Sequence, residues 1–482
     1  MKKSKFFAFA ALGLLTLASC SDKDDPIIDE PVMDGEQVIV LDMQDTDVLS
    51  TKSRPLYSTS NKGAEQVTDL KLLLFKIKDD KTKTLIKAID VPNWDQRSSD
   101  YNYGRKLSIR LTGNDRLKIG SESGDDIADG ESFTIVAVGQ DEKTTAPAPF
   151  KFGSSVNIPG LDFDAVTDKD WNSIQEAGSG FKHLFTNAIK TYETPASEIF
   201  SGESNPTTIQ LDGGFQADVL LKRQVAGVMG YFNRIPATVP NVDTPSSPHQ
   251  VRYIRLVASA RNTQLDLTVN LPQQEDDATE NESSEAETVM NGFSGTDNAA
   301  TANAAFAATA STTDAYTVYA IDLAEWFPNA WTEGTEGNTG SWKSEAVKDG
   351  LLDVSSYWVN AIDASNANPI LAGGSVFAGE FTIPFEKVVG KNTFELQLLN
   401  ENTVILKSWN VKLDKASQIN GDGADVYNIY RNHLYQIGKR GSGDTPTDPG
   451  TDPDKPQPLD KDQDLTIRIN DQWEFIHDME IE

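Results

Sequence analysis

Of 482 residues only one is a cysteine, and its position suits one covalent chemistry. Lys2, Lys3 and Lys5 precede an apolar run from Phe6 to Leu17, and the run closes on Leu17-Ala18-Ser19-Cys20. Such a run is too short to span about 30 Å of hydrocarbon as a helix but suits the core of a secretory signal. Small residues at 18 and 19 followed by Cys20 make the cleavage site of a bacterial lipoprotein precursor, where the thiol is acylated. The competing reading is an ordinary secretory signal with a coincidental cysteine, yet a lone cysteine has little chance of landing there. Lipidated at Cys20, the chain would be held by acyl chains at about 0.8 kcal/mol per buried CH₂.

The remaining chemistry is sparse. One cysteine makes neither an intramolecular disulfide nor a thiolate zinc cluster, and four histidines leave little material for a nucleophile or metal site. No His-Glu-x-x-His, Gly-x-Ser-x-Gly, Walker-type loop or dinucleotide fingerprint occurs. Asn420-Gly421-Asp422-Gly423-Ala424-Asp425 has calcium-loop residue types without the closing Glu and reads as a turn. Asp162, Asp164, Asp168 and Asp170 read as a solvated acidic loop, and His433 as a packed residue among aromatics. Trp326, Trp331, Trp342 and Trp358 could stack on sugars, but core packing is the default for tryptophan in a sandwich. No catalytic residue, metal or cofactor is assigned, and an enzyme is not expected. The formal net charge of −30 argues against nucleic acid as a partner.

Short apolar runs with period-two alternation recur along the chain, separated by Gly, Asn, Asp and Pro clusters. Leu70 to Phe75, Phe133 to Val138, Val219 to Met229 and Phe394 to Leu399 are examples. This is the pattern of all-β sandwiches with few short helices. The best helical candidate, Trp171 to Ile189, is interrupted by Gly178 and Gly180. The organisation reads as a signal peptide (1–19), an acidic tether with one strand-like run, Val38-Ile39-Val40-Leu41 (20–54), and two sandwiches (55–212 and 213–440). A Pro-rich linker (441–464) and a terminal strand (465–482) follow. The second sandwich carries an acidic, Ala/Thr-rich stretch (273–311) that lacks the apolar residues to offset its ordering entropy and reads as an exposed loop.

The terminal strand has the clearest pattern. Leu465, Ile467, Ile469, Trp473, Phe475, Met479 and Ile481 fall on one face, and the other face is polar except for Ile476. Extended, these residues would run about 60 Å, longer than the roughly 40–50 Å width of a domain this size. Two readings stay open: two consecutive strands of the chain's own sheet, kinked at Asn470-Asp471, or a donor strand added to another subunit's sheet. A linker of this length could deliver it over about 70 Å.

Several of these features together resemble the fimbrial subunits (type V pilins, or fimbrillins) of Bacteroidales. Ser21-Asp22-Lys23-Asp24-Asp25 behind Cys20 resembles the acidic surface-export tag of Bacteroidota lipoproteins, its plainer reading being a solvated tether. Val67 to Phe75, Leu221 to Val228, the Arg431-Asn432-His433-Leu434-Tyr435 segment and the terminal strand complete the resemblance. It implies two transthyretin-like β-sandwich domains and an outer-membrane lipoprotein precursor that ends in a cell-surface fimbrium. It implies maturation by an Arg- or Lys-specific protease, with Val38, Ile39, Val40 and Leu41 as a temporary plug strand. Arg54 is the first arginine, but Pro55 follows it, which hinders trypsin-like cleavage and brings Lys52-Ser53 or a later site forward as alternatives. The implied partners are other copies of the chain, accessory fimbrial subunits, the outer membrane through lipid before maturation, and host or bacterial surface ligands. A surface glycan-binding lipoprotein and a tip adhesin of the same fimbrium are the alternatives. Loss of residues 1–54 would leave a net charge of about −26.

Overall fold

The computed structural model describes residues 35–43, 69–77, 83–91, 106–120, 124–140, 182–184, 199–209, 213–259, 264–266, 317–359, 371–415, 423–439, 455–461 and 465–470. Positions 129, 224–225, 336–338, 353, 383–384, 386, 388–389 and 431–432 are excepted. Strands dominate, and among the described residues helix is limited to single turns such as Leu323–Trp326, in keeping with the all-β sandwich expectation. The longer strands are β1 (Gln37–Met43), β2 (Asp69–Ile77), β3 (Lys83–Val91), β4 (Lys106–Arg110), β5 (Ser132–Gln140), β6 (Ile199–Glu203) and β7 (Phe215–Arg223) in the first half. The second half holds β8 (Ala226–Asn233), β9 (Tyr253–Ala258), β10 (Thr317–Asp322), β11 (Val376–Thr382), β12 (Phe394–Leu399), β13 (Ile405–Leu413), β14 (Leu434–Ile437) and β15 (Leu465–Asn470). Shorter pairings are named by their residues.

The first sheet runs β3-β2-β5-β6-β7-β1-β4 and folds over on itself. The corner lies between β6 and β7, which pair only through Phe200–Arg223 and Ser201–Lys222. Gly202 is required there, because a Cβ on it would sit 2.0 Å from the Leu220 carbonyl oxygen. Across the fold Phe133 of β5 meets Phe215 of β7 edge to face at 4.7 Å. Ile39 and Leu41 of β1, Leu70, Leu72 and Leu74 of β2, and Ala217 and Val219 of β7 fill the same core. The alternate residues Leu73, Phe75, Val136 and Val138 pack into the core of the second sheet. With both faces covered, β2 and β5 read as near-continuous apolar runs, whereas β7 keeps Gln216, Asp218 and Leu220 exposed.

The second sheet runs β10-β9-β12-β13-β15-β14-β8-β11, and its two ends, β10 and β11, lie against each other. Three sequence expectations change. The boundary at 212/213 assigned Phe215–Arg223 to the second sandwich, but this strand is hydrogen-bonded to β1 and β6, and the change of sheet comes between Arg223 and Ala226. Lys182–Leu184, inside the expected helix, is a short strand paired with Gln264–Asp266. Gly178 and Gly180 weaken any helix there, and a strand partner is on hand.

The third change concerns the linker. Its last part, Lys455–Asp460, is not a free spacer. Lys455 pairs with Lys439, Gln457 and Pro458 lie beside Phe232 and Asn233 of β8, and Leu459 donates its N–H to the Asn233 carbonyl at 3.1 Å. Leu459 is fully buried. Asp460 accepts from Arg234 Nε at 2.7 Å, and this bond is the main cause that holds its carboxyl below the usual carboxylate range.

A depressed carboxylate adds stability above its unfolded pKa, about 3.9, and that stability goes as pH falls through the lower folded value. Hydrogen exchange over 455–460, corrected for intrinsic rates, is therefore expected to show easier opening as pH falls from about 5 through the lowered folded value. In Arg234→Gln this pH dependence should shrink, leaving the smaller part due to Lys461 and the backbone, and opening should be easier at neutral pH.

Candidate functional site

Both ends of the described chain lie in the interior of a sheet. β1 sits between β7, parallel, and β4, antiparallel, with Val38 opposite both Arg110 and Gln216. Among the described residues β4 has no strand partner other than β1, so its place in the sheet depends on β1. The candidate plug residues behave as alternation requires: Ile39 and Leu41 are fully buried in the first core, while Val40, on the opposite face, is half-buried. Val38 is also buried.

Gln37 begins the inward row and is 1% exposed. Its Nε2 donates to the carbonyls of Leu117 (3.1 Å) and Gly213 (3.0 Å), and its Oε1 accepts from Leu117 N–H at 2.7 Å. A carboxamide is thus held by backbone groups on two sides of the slot. Sequence reading passed over Gln37 because it is polar; the available signal was its period-two step to Ile39 and Leu41. Arg116 donates to the Gly35 carbonyl just before the strand, and Phe215 N–H to the Glu36 carbonyl at 2.8 Å.

Cys20, Lys52 and Arg54 lie outside the described residues. Lys52 and Arg54 fall in the connection 44–68 between β1 and β2, so a cut there would leave β1 attached by non-covalent contacts alone.

The candidate donor strand is divided. β15 lies between β13, parallel, with Val411 opposite Leu465, and β14, antiparallel, with Ile437 opposite Ile467. Leu465 and Ile467 are buried in the second core, and Ile469 is placed opposite Tyr435. The first six residues of the terminal strand therefore occupy the chain's own sheet. Trp473, Phe475, Met479 and Ile481 lie outside the described residues. β14 is entered through the aromatic segment singled out in the sequence: Tyr435 Oη accepts from Tyr430 N–H at 2.9 Å and donates to the Asn428 carbonyl, and His433 packs beside the Tyr430 ring.

Trp326, Trp331, Trp342 and Trp358 are all buried. Trp326 meets Phe377 and Trp331 meets Trp342 edge to face, and the indole N–H groups of Trp342 and Trp358 donate to the Val251 and Ser375 carbonyls. They are core residues, not a sugar platform. Among the described residues no group of three or more His, Cys, Asp or Glu could hold a metal ion, and no helix is long and apolar enough to cross a membrane.

No protein-family model and no curated protein matches the sequence. Among solved structures the chain is similar to a candidate cell adhesion protein from Bacteroides eggerthii, with 11% identity and a TM-score of 0.34 over 91% of this chain and 96% of that one. It is similar to a fimbrial assembly protein from Parabacteroides distasonis, with 10% identity and a TM-score of 0.27 over 84% and 92%. It is also similar to the fimbrial anchor protein Mfa2 from Porphyromonas gingivalis, with 7% identity and a TM-score of 0.27 over 83% and 90%.

Removing the Gln37 carboxamide strands a buried N–H, so Gln37→Leu should destabilise the chain by about 1–3 kcal/mol in urea unfolding. Ile39→Ala should cost about 2–5 kcal/mol. Val242→Ser, at a loop position 93% exposed, should stay within about 0.5 kcal/mol of the parent chain.

Proposed function

We propose that the chain is a structural subunit of a surface fimbrium, made as a lipoprotein acylated at Cys20, matured by proteolysis at Lys52 or Arg54, and polymerised by donor-strand exchange. Each sheet would belong to one sandwich domain. The observation that carries this reading is the position of β1: a short N-terminal strand, interior to its sheet and tied to the rest only through 44–68. Its loss would bare the facing rows of β4 and β7, and an open slot of that kind is filled by a strand from outside. The terminal strand, whose alternation is broken only at Asp471, Ile476 and His477, is the chain's own candidate to fill it in another copy. Until then β15 keeps Leu465 and Ile467 covered in the second core, which lowers the aggregation hazard of a loose greasy strand. The partners are other copies of the chain and accessory fimbrial subunits. Before maturation, lipid would hold the precursor in the outer membrane.

A second reading, a surface glycan-binding lipoprotein, gains support from β15 lying in the chain's own sheet. It loses its proposed platform, since the four tryptophans are buried. A tip adhesin of the same fimbrium would share the β1 slot and use exposed loops for contact.

The test is a chain folded with β1 in place and then cut between 44 and 68 by a site-specific protease. Polymers visible by electron microscopy and stable in detergent should follow the cut, and a chain lacking residues 465–482 should give none. Polymers from the shortened chain would sink the donor-strand reading. Carbohydrate pull-down that survives the deletion, with no polymer from either chain, would favour the glycan reading.

A further inference from the structure

We propose that Gln463–Ile469 of a second copy takes the place of β1, in one register. Gln463 falls where Gln37 lies, Leu465 where Ile39 lies, Ile467 where Leu41 lies, and Ile469 at the position of Met43. This rests on the donor-strand reading and specifies which part of the tail that reading uses.

The slot is short. β1 pairs with β7 from Gln37 to Met43, a span of about 23 Å at ~3.3 Å per residue. Beyond Leu221, β7 turns to β6 through Lys222 and Arg223. The alternating tail is more than twice as long as the slot, so some feature must select the window that enters.

The Gln37 pocket is that feature. Its walls are the N–H and C=O of Leu117 and the C=O of Gly213, all outside β1 and all left behind when β1 goes. One buried donor beside two acceptors is matched by a primary carboxamide. Residues 441–482 hold four, Gln457, Gln463, Asn470 and Gln472. Only Gln463 is followed at every second position by three apolar residues: Leu465, Ile467 and Ile469. Starting from Gln457 puts Lys461 at the Leu41 position, from Asn470 puts Glu474 there, and from Gln472 puts Glu474 at the Ile39 position. Ile39 and Leu41 are fully buried, so each of those windows buries a charge without a partner.

The chosen window fits in other respects. Leu for Ile39 and Ile for Leu41 conserve volume. Asp464 takes the place of Val38, a buried position, but there it stands opposite the cationic Arg110 of β4, a partner of opposite charge that the rejected windows lack, and Thr466 takes the place of Val40, opposite Ser108. Arg468 takes the place of Asp42 opposite Lys106, a like-charge pairing at the far end of the slot. The ladder also lengthens. In its own sheet β15 pairs three residues with β13 and four with β14, whereas the β1 slot pairs seven with β7 and five with β4.

The test uses the chain from residue 20 on with Cys20→Ser, folded with β1 in place and then cut within 44–68 by a site-specific protease. Cys20 is the sole cysteine, so Arg110→Cys combined with Asp464→Cys reports one contact alone. After the cut, a non-reducing gel should show a ladder of disulfide-linked multimers from this pair and none from Arg110→Cys with Gln472→Cys. Gln463→Leu should slow assembly at least tenfold, while Gln472→Leu should assemble at the parent rate; unchanged melting of the uncut chains checks that both fold. Polymers without the 110–464 ladder, or equal assembly rates for the two variants, overturn the register and leave donor-strand exchange standing. No polymer from the cut parent chain overturns both.

Discussion

Backbone N–H and C=O groups inside a sheet must be paired on both sides, and here that requirement falls on the two ends of the chain. β1 supplies the missing rows between β4 and β7, and β15 supplies those between β13 and β14. Most other strands are held by neighbours joined through the body of the fold. β1 is joined to it through 44–68, and β15 through 462–464 to the anchored Lys455–Asp460. β4 shows the consequence most plainly, since its pairing depends on β1. A fold built this way is complete only while both ends, or substitutes of matching pattern, are in place.

Electrostatics bears on what the substitute must do. A trimmed chain with a net charge near −26 repels its copies over long range. Surface attraction between such copies would be weak, and in the proposed polymer inserted strands with buried Leu and Ile side chains would supply the bond. The Gln37 pocket would add geometry to that bond, because apolar alternation alone accepts any even-numbered slip along a long strand. A buried carboxamide site accepts one.

Much of the fold was legible because apolar patterning follows burial. The run Val38 to Leu41 stands out within an acidic segment, and β2 and β5 read as strands because both of their faces are covered. The change of sheet was misplaced because Leu211-Asp212-Gly213-Gly214 looks like a boundary, while the actual crossing, between Arg223 and Ala226, carries no Gly or Pro. Lys455–Asp460 was hidden by its composition: prolines suggest a spacer, and only Leu459 betrays a buried anchor. The home of β15 stayed open between its own sheet and another copy's, since the same alternation satisfies any open slot with one apolar face. The tryptophans were read correctly, as core, from the rule that large aromatics pack.

The central claim is that β1 is a removable strand whose place is refilled. Hydrogen exchange over 106–110 and 215–221 measures it directly, because these segments carry the ladder bonds to β1. Protection should be high in the intact chain, fall when β1 is cut and displaced, and return in the assembled polymer. Protection that stays unchanged through displacement and assembly would contradict the account.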